Sequence, residues 1–301
     1  MNTSTATADP ARVVGAHRAR TILGLFKLRI GSMIMVTALV GMAVTPGPSP
    51  ALWQVAVLAL SVLAASAAAG AFNQYVEVDI DRLMVRTRGR AFVTGAVRHS
   101  PIWLLAIALL LAVAVAGAWV GLNPVAALHT FLGAFTYGVV YTMWLKRRSW
   151  LNIVVGGLAG SFAVLAGAAA VNPDIGALPW LLALVLFLWT PPHFWSLAIA
   201  NQADYAAAGV PMLPVVVGTE RAAHIVLVST VALAIASLLP GFFGAGIVYL
   251  AGAAIGGGHF VHKAWQLSRA PSRKTAMAAF FASLVQLSLV LVAATADGLS
   301  R

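Results

Sequence analysis

The sequence predicts an all-α membrane protein: a bundle of about nine transmembrane helices with a cytoplasmic N-terminus. Three observations carry this expectation. The 301 residues are 61% hydrophobic and only 9% charged, with a mean hydropathy of +0.92, whereas a soluble domain carries roughly a quarter charged residues. The apolar sequence suffices for about nine runs of roughly 20 residues, the length a helix needs to cross a bilayer. The basic residues also segregate. With the N-terminus inside, segments 1–29, 73–101, 146–150, 200–221 and 263–275 become cytoplasmic and hold 18 of the 19 Lys+Arg, leaving only Arg301 outside. Basic residues collect in cytoplasmic loops, and one span too many or too few would swap the side of every later loop. The excess of 19 Lys+Arg over 8 Asp+Glu is therefore topological, and no nucleic-acid partner is expected. The absence of cysteine excludes disulfides, thiolate metal ligands and thiol catalysis.

Residues 1–21 form a polar, basic lead without an apolar core of signal-peptide type. The lead is expected to be disordered, with Arg12, Arg18 and Arg20 holding it inside. Residues 22–301 form one polytopic domain with spans at about 30–45, 52–72, 102–120, 125–145, 151–170, 178–199, 222–240, 243–262 and 276–296. Breaks at Pro46–Pro50, Gly121–Pro124, Asn172–Asp174, Pro240–Gly241 and Pro271 use punctuation residues. Runs of Gly and Ala, as at 64–71 and 156–170, let helix backbones approach closely in lipid.

Charge is concentrated in the segment from Asn73 to Arg90. It holds Glu77, Asp79 and Asp81, three of the eight carboxylates, together with Arg82, Arg86, Arg88 and Arg90. Asn73, Glu77 and Asp81 are spaced i, i+4, i+8, which places them on one stripe of a helix. An all-oxygen stripe suits Mg²⁺, which takes a few carboxylates, keeps waters and bridges to substrate phosphates. Asp79 points off the stripe and would serve a metal only where the helix loosens. The arginines that follow match phosphate oxygens, and Lys146, Arg147 and Arg148 are placed to close the other side of a diphosphate clamp. The alternative for the basic residues is a solvated loop obeying the positive-inside rule, which gives no reason for three carboxylates.

A second polar stretch runs from Trp189 to Pro214. Pro191-Pro192 is expected to break span 6 and free backbone carbonyls beside a protein-lined cavity. His193, Asp204 and Tyr205 supply a titratable ring, an acid and a phenol. Asp204 would complete the metal site from across the bundle. His193 would bind a porphyrin iron or orient a substrate, or else be an interfacial residue beside Phe194 and Trp195.

Both stretches resemble the UbiA-type membrane prenyltransferases, whose first motif is N-x-x-x-D-x-x-x-D, and within them the protoheme IX farnesyltransferase branch. The likeness rests on residues 73–88, 141–147 and 152–160, on the T-P-P-H-F-W string at 190–195 and on residues 204–216. It implies Mg²⁺ as cofactor, with metal and diphosphate roles for Asn73, Glu77, Asp81 and Asp204. Diphosphate contacts fall to Arg86, Arg88, Tyr141, Lys146 and Arg147, and the acceptor (haem) side to His193 and Tyr205. The implied reaction is hydroxyfarnesylation of a haem vinyl group. The implied substrates are farnesyl diphosphate and haem B, at the cytoplasmic face of an inner membrane, with a haem A synthase or terminal oxidase as assembly partner. The chain departs from the family pattern at Glu77, where Asp is usual, at Leu28 within Lys27-Leu28-Arg29, at Ala91, at Ser161–Leu165, and at Asn201–Ala203, which leaves Asp204 the lone carboxylate of its motif. Another acceptor, a quinone precursor or a different tetrapyrrole, is the rival within enzymes. A non-enzymatic haem-binding or transport bundle is the rival outside them.

Overall fold

The computed structural model describes residues 21–300, so the lead at 1–20, its arginines and Arg301 lie outside the described residues. Every regular element among them is helical. In chain order these are α1 (Leu28–Val44), α2 (Leu52–Val76), the short α3 (Val78–Leu83) and α4 (Ala91–Thr94), and α5 (Ile102–Gly121). Next come α6 (Pro124–Phe135), continued by a π-helix (Thr136–Leu145), α7 (Asn152–Gly156), α8 (Leu158–Val171), α9 (Ala177–Ala200), α10 (Gln202–Ala207) and α11 (Leu213–Val217). The chain ends with α12 (Thr219–Ala236), a 3₁₀ turn (Leu239–Phe243), α13 (Ile247–Arg269) and α14 (Arg273–Leu299). Long helical segments thus stand where the spans were read. Seven are long and apolar enough to cross a membrane by length and composition, and α1 is a shorter apolar helix. Helix α13 carries His259, His262, Lys263 and Arg269 in its second half.

Local chemistry sets the boundaries. Helix α6 starts where the Asn123 side chain accepts from Ala126 N at 2.9 Å and Pro124 takes the first helical position, since proline lacks only a donor that would be unpaired there. Helix α14 starts at Ser272, whose hydroxyl accepts from Thr275 N. The Gly/Ala runs work as backbone contacts. A Cβ at Gly41 would overlap the Val164 carbonyl and one at Gly167 the Ala38 carbonyl, so α1 and α8 meet backbone to backbone.

The helices close into a bundle: α1 lies against α2, α8 and α14, and α9 against α8, α12 and α14. The largest core gathers around α9 and α12–α14, with Leu182, Val226, Leu233, Phe260, Leu267 and Val290 fully buried. The outside is apolar as well. Leu105, Leu109, Val113, Trp119 and Val120 of α5 are exposed, a surface that lipid tolerates and water does not. The protein is a multi-pass membrane protein.

One expectation is corrected. Helix α9 runs unbroken from Ala177 to Ala200 with Pro191 and Pro192 in its interior. The two prolines remove the N–H groups that would pair with the Phe187 and Leu188 carbonyls. The helix nevertheless holds, because α8, α12 and α14 pack around it and tertiary contact outweighs local propensity.

Candidate active site

The oxygen stripe forms at the junction of α2 and α3. Asn73, Glu77 and Asp81 are 2%, 0% and 1% exposed. Glu77 ends α2 with φ −96° and ψ 17°, a local loosening. The helical ladder still passes through it, with Glu77 N on Asn73 O at 3.1 Å and Asp81 N on Glu77 O at 2.8 Å. The i, i+4, i+8 register therefore survives the bend. Asp79 lies off the stripe at the surface, where both its oxygens accept from Arg147, at 2.7 and 2.8 Å. This fork holds the Asp79 carboxyl below its usual range and raises the guanidinium.

Each stripe residue meets a cationic side chain from elsewhere in the chain. Lys27 Nζ donates to Asn73 Oδ1 at 2.5 Å, Lys146 Nζ to Glu77 Oε2 at 2.5 Å, and Arg90 Nη1 to Asp81 Oδ2 at 2.6 Å. Arg90 Nη1 also lies 4.0 Å from Glu77 Oε2. Asn73 Nδ2 donates to Thr142 Oγ1 at 3.0 Å. Burial, and then the neighbouring Arg90 charge, pushes the Lys27 ammonium down to about 7. Burial lowers Lys146 too, against the opposing pull of Glu77.

The π-helix aligns the opposite wall. Lys146 N bonds to Tyr141 O, five residues back. At 3.6 residues per turn, Tyr137 and Lys146 would stand two and a half turns apart and face opposite ways. The wider π turn brings Tyr137, Tyr141, Thr142 and Lys146 to one side, and such turns gather at functional sites. Tyr137 and Tyr141 stack with ring centroids 5.5 Å apart, and Lys27 and Lys146 lie 5.7 and 5.8 Å from their respective centres.

The second stretch comes alongside. Ile80 and Met84 pack with Ala198, Tyr205, Val210 and Met212, and Arg86 Nη2 donates to the Tyr205 hydroxyl at 3.3 Å. Burial raises the Tyr205 phenol. A surface groove of about 210 Å³, lined by Asp79, Ile80, Leu83, Arg147 and Ala208–Val210, runs between the two stretches. Arg88 is exposed, and Asp204 is half-buried in α10. Among the described residues no three His, Asp or Glu side chains gather closely enough to hold an ion, so Asp204 does not stand in a three-acid group with Glu77 and Asp81.

His193 lies apart from the stripe, between α9 and α14. It is stacked between Trp189 and Phe280 and meets Ser283 Oγ through Nδ1 at 2.6 Å. Ser283 Oγ already donates to Phe280 O at 2.6 Å. Nδ1 therefore carries the ring proton, and Nε2 keeps its lone pair.

The donor set fits a hard divalent ion. All candidate ligands on the stripe are oxygens, and among the described residues the buried Glu77 Oε1 has no hydrogen-bond partner. Buried carboxylate oxygens are seldom left unpaired, and a cation would fill this position. Sequence reasoning missed Lys27, Tyr137 and Thr142. Lys27 was noted only as part of a departure from the family pattern. The structure holds Lys27 in a left-handed backbone conformation, φ 47°, unusual for a residue with a side chain and invisible in the sequence.

Residues 34–285 match the model of the UbiA prenyltransferase family. The chain belongs to the UbiA prenyltransferase family. It is 54% identical over 280 residues to the protein named protoheme IX farnesyltransferase 2 of Paramagnetospirillum magneticum, covering 93% of this chain and 97% of the relative. It is 38% identical over 303 residues to a protoheme IX farnesyltransferase of Granulibacter bethesdensis, at 95% and 93% coverage. Among solved structures, a UbiA homologue from Archaeoglobus fulgidus bound to DMAPP and Mg²⁺ superposes with a TM-score of 0.67 at 16% identity, over 88% of this chain and 98% of that one. At that identity the likeness carries the UbiA fold.

Proposed function

We infer that this UbiA-family prenyltransferase transfers a farnesyl group from farnesyl diphosphate to a vinyl group of haem B, with addition of water, giving haem O and diphosphate. The observation that carries the reading is the buried Asn73–Glu77–Asp81 oxygen stripe ringed by Lys27, Lys146 and Arg90. Such a constellation suits a metal–diphosphate group. The acceptor follows from full-length relatives that carry the name protoheme IX farnesyltransferase.

A divalent ion held by Asn73, Glu77 and Asp81, Mg²⁺ in this reading, would supply Lewis-acid stabilisation of the departing diphosphate. The residues of the chain do the rest. Lys146, Arg90 and Lys27, with Arg86, Arg88 and Arg147 outside them, orient the diphosphate and balance the charge that builds as its bond to the farnesyl carbon breaks. The stacked faces of Tyr137 and Tyr141 lie where an allylic cation is favoured by π density. The outer carbon of the haem vinyl group bonds to that cation, the positive charge passes to the inner carbon beside the porphyrin ring, and water adds there and loses a proton, leaving a hydroxyl. His193 offers an acceptor nitrogen toward the haem, and Tyr205 helps set Arg86. Asp204 takes its part only if α10 moves toward the stripe. The site opens at the cytoplasmic face of the inner membrane, and the product passes to a haem A synthase or a terminal oxidase.

Purified chain given haem B, farnesyl diphosphate and Mg²⁺ should form a product heavier than haem B by a farnesyl group and one hydroxyl group. Chelation of the metal should abolish it. Prenylation of a quinone precursor in place of haem would replace this reading with the other acceptor.

A further inference from the structure

The three stripe residues are all engaged, each by a lysine or arginine side chain. Lys27 holds Asn73 Oδ1, Lys146 holds Glu77 Oε2, and Arg90 holds Asp81 Oδ2 while lying 4.0 Å from Glu77. Three basic side chains thus face two carboxylates, with Lys146, Glu77 and Asp81 buried where screening by water is weak. These are the same oxygens that the metal needs. A divalent cation arriving alone would have to displace ammonium and guanidinium groups and then sit beside them. A diphosphate arriving alone would find those groups already bound to carboxylates. Arriving together, the metal takes the oxygens and the released cations turn onto the phosphates, so every charge is matched. Lys and Arg have flexible stems suited to such a handover, and the uncommitted Glu77 Oε1 gives the metal its first contact.

We propose that Lys27, Lys146 and Arg90 are placeholders that keep the metal ligands occupied until metal and diphosphate load together. The proposal rests on the metal–diphosphate reading of this site. It assigns Lys27 and Arg90 to substrate binding and makes loading mutually dependent. Because coupling between two ligands is reciprocal, the factor by which diphosphate tightens the metal must equal the factor by which the metal tightens diphosphate.

The test is equilibrium binding of Mn²⁺, read as free ion by electron paramagnetic resonance, to the full chain in lipid nanodiscs with and without inorganic diphosphate. The wild-type chain should bind Mn²⁺ at least about tenfold more tightly with diphosphate than without it. Lys27→Met and Arg90→Gln should each bind Mn²⁺ alone about tenfold more tightly than wild type and show a smaller diphosphate effect. Lys27→Gln, which keeps a hydrogen bond to Asn73 without the charge, should behave as Lys27→Met and so separates charge from folding. Equal Mn²⁺ affinity with and without diphosphate overturns the proposal, and so does an unchanged or weaker affinity for Mn²⁺ alone in the Lys27 variants. No Mn²⁺ binding under either condition overturns the metal–diphosphate reading itself and the proposal with it.

Discussion

Glu77 is the residue on which the site turns, because it is fully buried, ion-paired through one oxygen and unpaired through the other. Glu77→Gln keeps the shape and the hydrogen-bond capacity but removes the charge that a metal and Lys146 require. Turnover should fall about a thousandfold, from the loss of several kcal/mol of metal-assisted stabilisation, while the protein remains inserted and monodisperse. Asp81→Asn should do the same. Full activity in both variants, read as prenylated product per folded protein, would remove the stripe from the mechanism. His193→Ala tests the other wall. It should raise the KM for haem far more than that for farnesyl diphosphate, and equal loss of both would count against an acceptor role. At this scale the sequence was informative where contacts are local. The stripe could be read because i, i+4, i+8 is a local rule. Lys27 could not, because its partner Asn73 is 46 residues away and its partner Tyr137 is 110 away.

At the scale of elements, the Asp79–Arg147 fork ties α3 to the loop that follows the π-helix. Lys146 is the neighbour of Arg147, so the fork sets where its ammonium stands relative to Glu77. Both partners of the fork are largely solvent-accessible, and an exposed pair contributes at most about 1 kcal/mol to stability. Asp79→Ala should therefore leave the melting temperature nearly unchanged and still lower kcat/KM for farnesyl diphosphate by about three- to tenfold, through misplacement of Lys146. The exchange Asp79→Arg with Arg147→Asp should recover part of that loss. An exchange no better than the single variants would show that Arg147 serves the diphosphate directly and not through the fork. The sequence marked Asp79 as off the stripe, which the bend at Glu77 did not alter. It gave no sign of the π-helix, since residues 136–145 carry no pattern that separates a five-residue hydrogen-bonded turn from a four-residue one. Pro191-Pro192 misled for the opposite reason: a strong local signal for a break was overridden by the helices packed around α9.

For the whole molecule, hydropathy and the placement of basic residues made the helical bundle legible, because lipid requires every spanning backbone group to be paired within its own helix. The sidedness of the loops is open to direct measurement, since the chain has no cysteine of its own. Single cysteines at Arg148 and Arg221 should react with an impermeant thiol reagent only from the cytoplasmic side, and one at Asp174 only from the other. A shared side for Asp174 and Arg148 would break the nine-span, N-inside arrangement. The fold packs the two acid-bearing stretches together, as in the Arg86–Tyr205 contact. Their chemistry and the relatives' names point to haem as the acceptor. Mass spectrometry of haems extracted from membranes that express this chain tests that claim most directly. The account predicts a new haem carrying a hydroxyfarnesyl group, absent when Glu77→Gln is expressed at the same level. Membranes that contain folded wild-type protein, haem B and farnesyl diphosphate but only unmodified haem B would contradict it.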